Sequence, residues 1–111
     1  MPHRDIKGSN DESCPILESI NLLGGRYKLL IIRAMLGAEG KPLRFGEIGR
    51  EMGGVSQKTL TRNLRKLEQA GLIERKVYAE VPPRVEYSLT KEGEDLYPVF
   101  LSLREWRESH R

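Results

Sequence analysis

Apolar residues recur at helical spacing from Pro15 onward, and the breaks in that recurrence divide the chain. Ile16, Leu17, Ile20 and Leu23 fall three and four apart until Gly24-Gly25 interrupts them, which predicts a first helix. A second helix is expected from Tyr27 to Leu36, with Leu29, Leu30, Ile32, Met35 and Leu36 apolar. That broad apolar coverage predicts a central helix buried on most sides. After the loop Ala38–Pro42, Leu43-Arg44 has room for a short strand. Phe45, Ile48 and Met52 then mark a third helix, ended by Gly53-Gly54.

The next helix is amphipathic in a more informative way. Ser56 is a suitable N-cap and Gly71 a suitable stop. Between them Leu60, Leu64 and Leu67 form an apolar stripe, while at ~100° per residue Lys58, Arg62 and Arg65 fall on the opposite side. Two strands follow, Leu72–Tyr78 and Val85–Leu89, joined by Ala79–Arg84 with Pro82-Pro83 at the hairpin tip. Thr90 caps a last helix in which Leu96, Val99, Phe100, Leu103 and Trp106 repeat. Residues 1–13 carry no period and read as a mobile arm ahead of a single domain spanning 14–111.

The 111 residues are too few for two independent cores, and 38% hydrophobic with 32% charged residues describes a soluble globular chain. The longest apolar run, Leu29 to Ile32, is far short of the ~20 residues that span a bilayer, so no membrane contact is expected. The polar opening residues lack a secretory core, and a lone cysteine fits a reducing compartment, so the expected location is the cytoplasm.

Net charge is +3, but its distribution is uneven. Between Ser56 and Arg84 seven basic residues face three acidic ones, a local excess of four that leaves −1 for everything else. The positive excess therefore sits on the amphipathic helix and the hairpin after it, the footprint of a polyanion-binding face. Two helices separated by glycines, the second basic, then a β-hairpin, form the layout of a winged helix-turn-helix, a mainly α fold with a small β element.

Such a helix can enter the major groove of double-stranded DNA while its other face stays anchored. Arg62 and Arg65 suit guanine, and Gln57 suits adenine. Asn63 has the same chemistry but lies nearer the core side. Ser56, Lys58, Thr59 and Thr61 suit phosphates or water-mediated reading, and Arg75, Lys76 and Arg84 suit phosphates or the minor groove at the wing. The competing reading is a winged-helix adaptor that binds proteins without sequence-specific DNA contact.

The runs Cys14-Pro15-Ile16, Leu23-Gly24-Gly25-Arg26-Tyr27-Lys28, Arg44-Phe45-Gly46-Glu47-Ile48, Leu60-Thr61-Arg62-Asn63-Leu64-Arg65-Lys66-Leu67 and Val81-Pro82-Pro83-Arg84-Val85-Glu86-Tyr87-Ser88-Leu89-Thr90 together resemble the HxlR-type winged-helix regulators, relatives of the MarR class. The match covers roughly residues 14–107. Arg26-Tyr27 departs mildly from the family's Gly-Lys-Trp motif. The resemblance implies a transcription factor, most simply a repressor, that binds a pseudo-palindromic operator as a homodimer.

The residues also suggest that dimer. Leu96, Val99, Phe100, Leu103 and Trp106 on the last helix, with Ile16 and Ile20 on the first, offer apolar faces that a two-fold mate would cover. Cys14, just before the Pro15 helix start, gains thiolate character from the helix dipole and loses it to Asp11 and Glu12. A subset of the resembled family senses oxidants or electrophiles with a cysteine here, which makes an oxidant or small-molecule effector conceivable and simple packing the alternative.

Enzymatic activity is not expected. The histidines, His3 and His110, sit near the two ends, no phosphate-binding glycine loop occurs, and one cysteine with two histidines builds no structural zinc site. No cofactor or metal is expected.

Overall fold

The computed structural model describes residues 14–111, so the arm expected over 1–13, with Asp11 and Glu12, lies outside the described residues. Helices α1 (Pro15–Leu23), α2 (Arg26–Gly37), α3 (Phe45–Glu51) and α4 (Gln57–Gln69) precede the hairpin strands β2 (Ile73–Tyr78) and β3 (Arg84–Leu89); a two-residue strand β1 (Leu43–Arg44) lies between α2 and α3. A short helix α5 (Lys91–Glu94) and the terminal α6 (Tyr97–Ser109) complete the chain. The sheet is antiparallel in the order β1-β3-β2, with Leu43 opposite Tyr87 and Tyr78 opposite Arg84.

The core forms where α2, α3 and α4 meet the inner face of this sheet. Ile31, Ile32, Met35, Ile48, Leu60, Leu64, Leu67, Leu72, Ile73 and Tyr87 are buried together. Burial of each α4 leucine contributes about 1.5–3 kcal/mol, so the stripe alone is enough to fix which side of α4 faces outward.

Two sequence expectations change here. In α2 the buried set is Ile31, Ile32 and Met35, whereas Leu29 is exposed, so the helix is buried along one stripe and not on most sides. The last helix is interrupted. Thr90 caps α5 by accepting from the Gly93 amide at 3.2 Å, and a turn at Asp95-Leu96 precedes α6. Pro98, in the first turn of α6, has no N–H to donate back to α5, which explains the break.

Two glycine sites are required by geometry. Gly53 and Gly54, between α3 and α4, have φ of 75° and 93°, a left-handed pair that β-carbon-bearing residues resist. Gly93 is buried against the Leu72 carbonyl, with no room for a Cβ. There Thr90 ties the elements together: its amide donates to the Leu72 carbonyl at 3.0 Å and its hydroxyl to the Gly71 carbonyl at 2.6 Å.

Candidate nucleic-acid interface

The outward side of α4 is set by the burial of its inward side. Because Leu60, Leu64 and Leu67 are locked into the core, Gln57, Lys58, Arg62 and Arg65 project into solvent, with Thr61 half-buried beside them. A shallow groove along this face is lined by Gln57, Lys58, Thr61, Arg62, Arg65, Lys66 and Gln69. Lys66 and Gln69 were not singled out from sequence as contact residues, although the 100° wheel places both on this side.

No carboxylate among the described residues lies within ion-pair distance of Lys58, Arg62, Arg65 or Lys66. Their charge is available to an external anion, and clustering on one helix face raises the local positive potential.

The start of α4 is fixed by Ser56. Its hydroxyl accepts from the Thr59 amide at 3.1 Å and lies 3.0 Å from Thr59 Oγ1, leaving the Gln57 and Lys58 side chains at the mouth of the helix. Asn63 has a different place from the one its chemistry allows. It is buried, and its Nδ2 donates to the Thr59 carbonyl at 2.8 Å, so it braces the first turn of α4 from the core side.

The wing residues separate by strand face. Arg75 stands opposite Tyr87 on the side that continues the core, and Lys76 stands opposite Glu86 on the other side; both are exposed. Arg84 is engaged internally. Its guanidinium carbon lies 4.0 Å from the Tyr78 ring centroid, and its Nε lies 3.5 Å from Glu80 Oε2 and 3.9 Å from Glu86 Oε2. Nε is buried but makes no hydrogen bond, so these contacts are ionic and stacking in character. Lys76 Nζ approaches the same ring at 5.0 Å.

The apolar residues assigned to a mate divide as well. Ile16 and Ile20 on α1 and Val99, Leu103 and Trp106 on α6 are exposed, Trp106 to 60% and Leu103 to 59%. Leu96 and Phe100 pack against the chain's own core, because they face back toward the sheet. Cys14 is half-buried at the N-cap of α1 and forms no disulfide. Among the described residues, no three His, Cys, Asp or Glu side chains gather as metal ligands, and no helix is long and apolar enough to cross a membrane.

A helix pair turned by glycines, a basic outward second helix and a three-stranded wing define a winged helix-turn-helix. The model of the HxlR-like helix-turn-helix family matches residues 22–111, and the chain belongs to that family of transcriptional regulators. An uncharacterised HTH-type transcriptional regulator of Methanothermobacter thermautotrophicus is 44% identical over 102 residues, covering 92% of this chain and 76% of the relative. A MarR-family transcriptional regulator of Porphyromonas gingivalis superposes with a TM-score of 0.82 at 38% identity, covering 92% of this chain and 97% of its own. The oxidised form of the redox regulator HypR superposes at 0.76 with 40% identity, covering 88% and 98%.

Proposed function

We propose that the chain is a sequence-specific DNA-binding transcriptional regulator that reads a pseudo-palindromic operator as a homodimer. The observation that carries this reading is the cationic face of α4, which has no ion pair among the described residues and is held outward by three buried leucines. Arg62 and Arg65 read guanines in the major groove, Gln57 reads adenine, and Lys58 and Lys66 neutralise phosphates. Ser56, Thr59 and Thr61 are the polar groups nearest the backbone at the helix start and flank.

The mate covers the exposed Ile16, Ile20, Val99, Leu103 and Trp106. A two-fold pair places two α4 helices one turn of DNA apart, ~34 Å, so that each chain reads a half-site. Repression follows if the operator overlaps a promoter.

Cys14 is the site through which an oxidant or electrophile acts on this assembly. Its position on α1, beside the proposed dimer face, and the likeness to a redox regulator support that assignment. With one cysteine per chain, oxidation by a disulfide-forming reagent joins two Cys14 thiols across a dimer or caps one with a small thiol. Diamide should change operator affinity of the native protein and leave Cys14→Ser unaffected; identical responses would remove the sensor role.

Recovery of genomic fragments bound by the protein, followed by affinity measurement across salt, tests the DNA reading. A common inverted motif and a steep loss of affinity between low and moderate salt are expected. Random fragments with no shared motif would favour the protein-interaction adaptor.

A further inference from the structure

At the hairpin tip the Arg84 side chain is turned back onto its own chain. Arg84 is drawn onto Tyr78 at 4.0 Å and between Glu80 and Glu86 at 3.5 and 3.9 Å, so two carboxylates offset its charge. Tyr78 and Arg84 are the last cross-strand pair before the turn, so this contact closes the ribbon at its outer end. Beyond it lie Ala79, Glu80, Val81, Pro82 and Pro83, with Val81 fully exposed. No cation belongs to those five residues.

From this arrangement we infer that Arg84 is a positioning residue, and that the wing meets DNA through its uncharged edge Val81-Pro82-Pro83, fitted into the minor groove by shape. The inference rests on the DNA-binding reading above. An apolar edge carrying two prolines has few conformations to lose and releases its hydration water favourably on burial, and such edges are suited to the narrow groove, where apolar side chains wedge against base steps. The stacked guanidinium ties the end of β2 to the start of β3, and β3 continues through Tyr87 into the core that α4 also enters.

Phosphate contact and positioning differ in what they do to salt dependence. Each lost phosphate contact lowers the slope of log affinity against log salt by about 0.9, whereas loss of positioning lowers affinity at every salt concentration alike.

Affinity for a recovered operator fragment is therefore measured across salt for the native protein, Arg84→Lys, Tyr78→Ala, Arg84→Ala and Val81→Ser, with Lys58→Ala as the phosphate-contact control and thermal unfolding to establish folding. Arg84→Lys and Tyr78→Ala conserve charge, yet both should weaken binding roughly three- to tenfold with the native slope. Arg84→Ala combined with Tyr78→Ala should be no weaker than either alone, and Val81→Ser should weaken binding without moving the slope. Full affinity in Arg84→Lys, or a slope reduced in Arg84→Ala as much as in Lys58→Ala, would overturn the inference and make Arg84 a phosphate ligand. A native affinity indifferent to salt would instead overturn the DNA-binding reading itself.

Discussion

The hydroxyl of Ser56 and the amide of Thr59, 3.1 Å apart, mark the point at which the α3–α4 turn becomes the cationic helix. The turn before it relies on two left-handed glycines, so the cap is the first side-chain contact that fixes where α4 begins. Ser56→Ala should lower stability by about 1 kcal/mol in denaturant unfolding, since an orphan amide loses its acceptor. Ser56→Asp should keep the cap and the stability but weaken DNA binding, because the added carboxylate stands where phosphate approaches. Equal affinity of Ser56→Asp and the native protein would place the N-terminus of α4 away from DNA.

Asn63 separates bracing from reading. It shares its helix with Arg62, but its amide is buried on the Thr59 carbonyl at 2.8 Å. Asn63→Ala should cost roughly 1 kcal/mol of stability with the order of preference among operator variants unchanged. A changed base preference in a selection from randomised duplexes would show that Asn63 reaches the groove after all.

At Gly93 the objection to a side chain is steric. A β-carbon there would collide with the Leu72 carbonyl and the Leu89 side chain, where α5 closes over the end of the sheet. Gly93→Ala should lower stability by ~1–3 kcal/mol or more, since backbone has to move to admit one methyl group. Thermal unfolding decides it: a midpoint within a degree of the native value would contradict close packing of α5 on the Leu72 carbonyl.

The exposed stripe on α6 bears on assembly. Val99, Leu103 and Trp106 are exposed, whereas Leu96 and Phe100 hold the start of the helix to its own core. Leu103→Asp should convert a dimer into a species near the single-chain mass of 12.7 kDa in sedimentation equilibrium, without unfolding it. Phe100→Asp, by contrast, should unfold the chain. A native protein already at the single-chain mass at micromolar concentration would remove the proposed mate.

How far the sequence revealed this arrangement depends on whether a residue's neighbours are local. The two faces of α4 follow from spacing alone, because Leu60, Leu64 and Leu67 fix the orientation of every other side chain on that helix. The engagement of Arg84 follows from strand register, which pairs it with Tyr78 across a turn whose geometry spacing does not specify. Leu96 and Phe100 share apolar character with Val99 and Leu103, so composition did not distinguish the residues facing the core from those facing outward. The split of the last helix is legible in Pro98, whose missing N–H breaks the helix although the apolar pattern continues.

Sequence-specific reading by α4 centres on Arg62, the exposed arginine in the middle of its outward face. Fluorescence anisotropy should compare the native protein and Arg62→Ala on a recovered operator duplex and on a scrambled duplex of the same length and composition. The expected result is a loss of ~1–3 kcal/mol on the operator and a much smaller loss on the scrambled duplex, because a base contact is lost along with a charge. Equal losses on the two duplexes, or a native protein that does not distinguish them, would contradict sequence-specific reading by α4.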